Sequence, residues 1–340
     1  MYPFSPFIIQ IANLCIEIHG YNDEDFEFLH DLKLIFNHHV VSSDNTAIHR
    51  IVVSAANQFN ITREATLQWV SPCLGVAGPM TRHRWLFFVK SLARHKKIPR
   101  YSGTCDVMCY KDTLRGVDYF IPKNAEWRIE HKAKEHVTHV FSNRTNGLSD
   151  GLPSMLMHVI GSQYGCYLLY ASCIAVDGDA FLFIGNSGVG KSTLCMELIK
   201  KGASYIGDDL VLLYMNEGQA MVGSLLFPIK RYANRQHTHK QKIDIVSQLP
   251  HRPPLNVPLK KIYFLQRTES TNAESHIKAM QGDKMLEKML KLTNKANTNA
   301  DGRHFVDTIS SICSCVPCYY LYYGEYNKIN PSFFANNDQK

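Results

Sequence analysis

The sequence predicts an α/β protein in two parts, a domain built on a strand, a glycine-rich loop and a helix, preceded by a smaller α+β domain. Three observations carry that expectation. "FIGNSGVGKS" at 183–192 ends an apolar strand and opens an amphipathic helix. "SNRTNGLSDGLP" at 142–153 gathers Gly, Asn, Ser and Pro in the manner of a linker. Ahead of that linker the segments are short and β-rich, with turn residues between them. We therefore expect one domain over residues 1–145 and a second over 152–330.

In chain order, "IIQIANLCIEI" reads as a strand, "DEDFEFLHDLKLIFNHH" as a helix started by Asn22 or Asp23, and "TAIHRIVVSAA" as another strand. "TCDVMCYKD", "GVDYFIPK", "EWRIEHKA" and "HVTHVFSN" then predict short antiparallel strands. Past the linker, "SMLMHVIGSQY" predicts a helix. A buried strand follows over 167–176, then a hairpin turn at "DGD", a strand over 180–184, a helix over 191–201 and a further strand. "PLKKIYFLQ" is strand-like, "SHIKAMQGDKMLEKMLKLT" and "DGRHFVDTISSI" are helical, and "PCYYLYYG" returns to strand.

Composition narrows the class. At 45% hydrophobic and 11% aromatic residues the chain can bury a real core and is not a disordered protein. The start "MYPFSPFIIQIANLCIEI" has no basic leader, and the longest apolar run, "CYLLYASCIAV" at 166–176, is too short to span a bilayer, so a cytoplasmic protein without membrane contact is expected. Ten cysteines without a leader read as reduced thiols. Cys313, Cys315 and Cys318 have no partner pair that would complete a tetrahedral metal set, and they run into a strand, which favours burial over metal binding.

The formal charge of +7 is concentrated in two stretches, 82–100 and 229–261. In the first, Trp85, Phe88, Val89 and Leu92 fall at helical spacing, which predicts an amphipathic helix with a solvated basic face. The second lacks the interleaved aromatic residues of a single-strand platform, and no nucleic acid is expected there. Lys230 and Arg231 either brace a transferring phosphoryl group or are solvated surface.

Residues Gly185, Asn186, Ser187, Gly188, Val189, Gly190, Lys191, Ser192 and Thr193 form the candidate nucleotide cradle. The loop turns successive backbone N–H groups into one concavity, and the following helix adds the positive end of its dipole. Gly188 and Gly190 permit positive φ, Lys191 neutralises β- and γ-phosphates, and the Ser192 hydroxyl is a ligand for Mg²⁺. Lys200 and Lys201 close the helix, with Gly202 as a left-handed cap. ATP and Mg²⁺ are the implied cofactors.

Asp208 and Asp209 follow Lys191 by seventeen and eighteen residues and precede the apolar run "LVLLYM". Ordinary P-loop ATPases place the metal-holding Asp at the end of an apolar strand, so this is different machinery. Two adjacent carboxylates divide the labour, one aiding the metal and the other taking a proton from an attacking hydroxyl.

From "GNSGVGKS" through "GASYIGDD" the chain resembles the catalytic domain of HPr kinase/phosphorylase and the HPr kinase-like serine kinases. Their nucleotide fold is shared with ATP-dependent phosphoenolpyruvate carboxykinase. The resemblance covers about 152–325 and is specific between about 165 and 215. It implies that Ser187, Lys191 and Ser192 hold phosphate and Mg²⁺, that Asp208 is the catalytic base, and that Asp209 supports metal or base. Two departures matter. Tyr170 stands where the family has a His, fifteen residues before Gly185, and "SLLFPIKRYANRQ" replaces the Glu- and Arg-rich signature tied to phosphorolysis. The expectation is an HPr kinase-like enzyme that is not HPr kinase itself. It would transfer a γ-phosphoryl group to a hydroxyl on a peptide, small protein or small molecule, with a serine as the favoured acceptor and the N-terminal domain presenting it. A nucleotide-sensing module or an ATPase without an acceptor stays open as the alternative, and so does a homo-oligomer.

Overall fold

The computed structural model describes residues 6–20, 26–42, 45–55, 66–72, 106–122, 127–142, 151–186, 188–226, 229–232, 240–243, 246–249, 251–268, 274–292 and 302–335. The basic stretch at 82–100 and Ser187 lie outside them. By packing, the chain divides into two units: Met1–Pro6, Ile18–Leu32 and His49–Leu156 form the first, and Phe7–Glu17, Lys33–Ile48 and Met157–Lys340 the second. The sequence suggests one cut in the linker, whereas two early segments count with the later unit.

The early elements are β1 (Phe7–Ile11), β2 (Leu14–Gly20), α1 (Phe26–Ile35) and β3 (Val40–Val41). "IIQIANLCIEI" is thus two strands, because the chain reverses at Ala12, whose φ is 54°. Within the first unit follow β4 (His49–Ala55), β5 (Thr66–Pro72), β6 (Asp106–Asp112), β7 (Val117–Pro122), β8 (Trp127–Lys132) and β9 (Val137–Ser142). They lie in the order β4-β9-β8-β7-β6-β5. The pairs from β5 through β9 are antiparallel, as expected, but β4 and β9 run parallel. A parallel pair joins segments far apart in sequence, which no local turn signal announces.

A buried polar cluster pins this sheet. Thr138 Oγ1 lies at hydrogen-bond distance from both rings, 2.8 Å from His49 Nε2 and 2.9 Å from His131 Nδ1. The two rings stack at 5.7 Å. All three residues are buried.

In the second unit come α2 (Gly151–Gln163), which opens in the first unit, then β10 (Tyr167–Leu169), β11 (Ser172–Val176), β12 (Asp179–Ile184), α3 (Lys191–Lys200), β13 (Ser204–Gly207), β14 (Val211–Asn216) and β15 (Gln219–Gly223). The ribbon β16 (Ile229–Tyr232) and β17 (Lys240–Ile243) precedes the long β18 (Asn256–Arg267). The chain ends with β19 (His276–Ala279), α4 (Gly282–Leu292), α5 (Gly302–Cys315), β20 (Cys318–Tyr323) and the short α6 (Ser332–Ala335). The main sheet runs β10-β14-β15-β18-β12-β11-β13, with β20 also on β18 and β19 on β20. Strands β12, β18 and β20 are parallel neighbours.

Two expectations need correction. The apolar run 166–176 is two strands: β10 pairs with β14, while β11 pairs with β12 and β13. The break falls at Tyr170 and Ala171, where the chain changes partners. "SHIKAMQGDKMLEKMLKLT" is a strand before it is a helix, because His276–Ala279 finds a tertiary partner in β20.

Strand β12 explains the core. Ala180, Leu182 and Ile184 face a cluster closed by Met285 and Met289 of α4 and Phe305, Ile309 and Ile312 of α5. Phe181 and Phe183 face the opposite cluster with Leu194 and Leu198 of α3 and the C-terminal Phe334. Burial on both faces gives β12 its continuous apolar sequence. At about 1.5–3 kcal/mol for each large apolar side chain buried, this strand is a firm base for the loop that leaves it. Asp177 and Gly178, at φ 52° and 86°, make the expected tight turn between β11 and β12. Gly202, at φ 99°, closes α3 as expected. Among the described residues no helix is long and apolar enough to cross a membrane.

Burial depresses His131 to about 4 and His49 to about 3, with the His136 charge adding to both. The unfolded chain therefore takes up protons first as pH falls below about 6.5, and stability present above that value is lost progressively toward pH 4. We predict that the first unit is about 1–2 kcal/mol less stable per buried histidine at pH 5 than at pH 7. Thr138→Val should cost a further ~1–3 kcal/mol by stranding two ring nitrogens. Urea unfolding followed by tryptophan fluorescence reads this unit, since the three tryptophans are at 69, 85 and 127.

Candidate functional site

The glycine-rich loop leaves the carboxyl end of β12 and enters α3. Gly188 and Gly190 have φ of 82° and 103°, a region where side chains are strained, and Gly190 is the N-cap of α3. Having no side chain, it leaves the first N–H groups of the helix uncapped. A Cβ on Gly185 would fall 2.9 Å from Val189 Cγ1. A Cβ on Gly190 would meet the Tyr326 hydroxyl and lie 2.7 Å from its ring carbons.

Lys191, the first residue of α3, is only 5% exposed. A buried ammonium needs several compensating partners, and they are visible. Nζ donates to Gly185 O at 2.9 Å and to Asn186 O at 3.2 Å, and it lies 4.5 Å from the centre of the Tyr170 ring. Burial depresses its pKa, while the charges of Asp209 and Asp208 oppose that shift.

The two aspartates come from the turn between β13 and β14. Gly207 pairs with Cys173 of β11, and a Cβ at 207 would come 2.8 Å from Val211 Cγ1. Leu210 N then donates to Asp208 O at 2.8 Å, and Asp209 adopts φ 65°. This tight reversal carries the Asp208 side chain back toward β11 and α3. The buried Ser172 hydroxyl donates to Asp208 Oδ1, and the Ser192 side chain lies close enough to favour the charged form of the same carboxyl group. Burial raises the Asp208 pKa, the Ser172 bond lowers it, and the neighbouring Asp209 charge raises it. The buried Tyr205 and Cys195 complete the surroundings, and burial, reinforced by the Asp208 charge, pushes both well above their usual values.

Of the residues singled out from sequence, Lys191, Ser192, Asp208 and Asp209 thus come together beside the loop. Val189 lies on the loop's far side, where its carbonyl accepts from Tyr323, and Thr193 is an exposed residue of α3. Lys230 and Arg231 fall on β16, and their side chains lie outside the described residues. Cys313 and Cys315 sit on α5 and Cys318 on β20. Among the described residues no group of three or more His, Cys, Asp or Glu side chains could hold a metal.

Local sequence does not signal three of these contacts: Ser172 on Asp208, the Tyr170 ring on Lys191, and the tyrosines at and just after the end of β20 on the loop. The first two lie in the apolar run 166–176, whose composition signals only buried strand. The third stood in "CYYLYYGEYN", where the repeated tyrosine was the available signal.

The chain is similar to known proteins over this region. The family described as HPr Serine kinase C-terminal domain matches residues 167–233, which contain the loop, both aspartates and Ser172. The HPr kinase/phosphorylase of Exiguobacterium sp. is 28% identical over 145 residues, 41% of this chain and 43% of that protein. That of Lactobacillus johnsonii is 31% identical over 96 residues, 28% and 29% of the two chains. The solved HPr(Ser) kinase/phosphatase from Coxiella burnetii aligns with half of this chain and 91% of its own at 14% identity and a TM-score of 0.30. The chain is thus similar to HPr kinases over its glycine-rich region, and its match spans less than half the length of these curated relatives.

The crowding at Gly190 makes a prediction. Gly190→Ala must accommodate both a positive φ and the Tyr326 ring, and should destabilise the protein by about 1–3 kcal/mol. Gly218→Ala, in an open turn with φ 82° and no atom within 4 Å, suffers only the backbone strain and should cost less. Chemical denaturation followed by circular dichroism compares the two.

Proposed function

We propose that this protein is an ATP- and Mg²⁺-dependent phosphotransferase that moves a γ-phosphoryl group onto a hydroxyl, a serine of a peptide or small protein being the acceptor the reading favours. The observation that carries the proposal is the Asp208 carboxyl group, which accepts from the Ser172 hydroxyl and lies within electrostatic reach of the Lys191 ammonium, itself held by the loop carbonyls of Gly185 and Asn186. The donor set suits the ligands: uncapped helix N–H groups and two glycines at positive φ form an anion cradle. A hydroxyl beside two carboxylates is a hard-oxygen set fit for Mg²⁺.

In this reading the main chain of Gly185–Gly190 and Lys191 hold the phosphates, while Ser192 and Asp209 hold the metal. ATP supplies the phosphoryl group and Mg²⁺ offsets the charge on its oxygens. Asp208 takes the proton of the acceptor hydroxyl as the acceptor oxygen bonds to phosphorus and the bond to the departing ADP oxygen breaks. Burial serves that role by raising the carboxyl pKa toward the working range of a base. The relatives are named for HPr, but their fifteen-residue-upstream histidine is Tyr170 here, so the reading takes the kinase direction and an acceptor other than HPr. A cytoplasmic location and acceptor presentation by the N-terminal region belong to the same proposal.

The test is transfer from radiolabelled γ-ATP to fractionated lysate proteins and peptides. Asp208→Asn is expected to lower the rate by at least ~100-fold while leaving ATP affinity nearly unchanged. Labelling by Asp208→Asn at the wild-type rate would remove Asp208 as the base. Tight ATP binding with no labelled acceptor would favour the nucleotide-sensing alternative.

A further inference from the structure

Three parallel strands, β12, β18 and β20, end side by side, and in open parallel sheets ligands bind in the crevice outside such carboxyl ends. The glycine-rich loop leaves the first of them. The other two end at Arg267 and Tyr323, which are paired in register.

The Tyr323 hydroxyl donates to the Val189 carbonyl within the loop, and Tyr326, three residues on, packs its ring against Gly190. The rings of Tyr323 and Tyr326 lie 5.3 Å apart. Arg267 in turn sets its guanidinium 5.8 Å from the centre of the Tyr326 ring. The strand ends and these ring contacts therefore bring a guanidinium to the rim of an anion cradle. Arg267 is exposed, and among the described residues no carboxylate pairs with it; the nearby Glu325 is bonded to Lys328 at 3.2 Å. A guanidinium offers five donors in a planar fork that suits phosphate oxygens, whereas stacking on an aromatic ring uses none of them.

We propose that Arg267 is a second cationic contact for the phosphate tail of the bound nucleoside triphosphate, held at the rim of the loop by Tyr326. The assignment rests on the nucleotide reading above and extends it to a residue outside the glycine-rich motif. It gives the two cations different tasks. Lys191 works from inside the loop, where burial and two carbonyls restrict it, and Arg267 works from the solvent side, where no acid among the described residues engages its donors.

The experiment is isothermal titration calorimetry of the full chain with MgATP, for the wild type and for Lys191→Met, Arg267→Ala, Arg267→Lys and Tyr326→Leu. Because Arg267 is exposed, its replacement should leave the melting temperature within a degree or two of wild type. Arg267→Ala is expected to weaken MgATP binding at least tenfold and Arg267→Lys by less. Tyr326→Leu should weaken it in the wild type but add little in the Arg267→Ala background, as a positioning residue must. If Lys191→Met loses MgATP while Arg267→Ala keeps wild-type affinity within a factor of two, the assignment of Arg267 is wrong and the nucleotide reading stands. If the wild type does not bind MgATP, or Lys191→Met binds it equally well, the nucleotide reading fails and Arg267 falls with it.

Discussion

The arrangement around the loop depends on one buried charge, the ammonium of Lys191. A lysine head group at the bottom of a backbone turn is costly unless nearly every direction around it is compensated. Two loop carbonyls, the face of Tyr170 and the two acidic neighbours supply that compensation. They come from three places in the chain, the loop itself, the break between β10 and β11, and the turn after β13. The same constraint brings Asp208 and Asp209 to the mouth of the loop, which is where the proposed chemistry needs them.

A second constraint is mechanical. The loop has few side chains of its own with which to hold its shape, and the C-terminal segment holds it instead. Tyr323 bonds to the Val189 carbonyl, Tyr326 packs on Gly190, and Lys201 donates to Ile329 O at 2.7 Å. Farther back, the buried Lys261 donates to Phe334 O at 3.3 Å, and Phe334 lies against the rings of Phe183 and Tyr263. Glycines give the loop the conformations it requires, and aromatic residues from about 140 positions later remove the freedom that those glycines would otherwise keep.

Asp208 illustrates how burial and hydrogen bonding can oppose one another usefully. Burial raises the pKa of the carboxyl group, while the Ser172 donor and the nearby Ser192 hydroxyl oppose that rise by favouring the charged form. Asp209, next in the chain, is held by its left-handed backbone and faces the lysine electrostatically, so adjacent and chemically identical residues have separate surroundings.

Local sequence was enough for elements whose signals are local. The glycine-rich turn between an apolar strand and a helix, the Asp177–Gly178 reversal, the Gly202 cap and the acidic pair could all be read directly, because positive φ, helix ends and apolar periodicity depend on near neighbours. Tertiary structure decided the division of 166–176 into two strands, the parallel pairing of β4 with β9, and the strand at 276–279. It also decided that Ser172 meets Asp208, that Tyr170 covers Lys191, and that Tyr326 meets Gly190. Those contacts depend on the register between strands and on a helix and strand brought together across tens of residues. Side-chain periodicity within a strand specifies which face a residue takes, but not which distant residue shares that face.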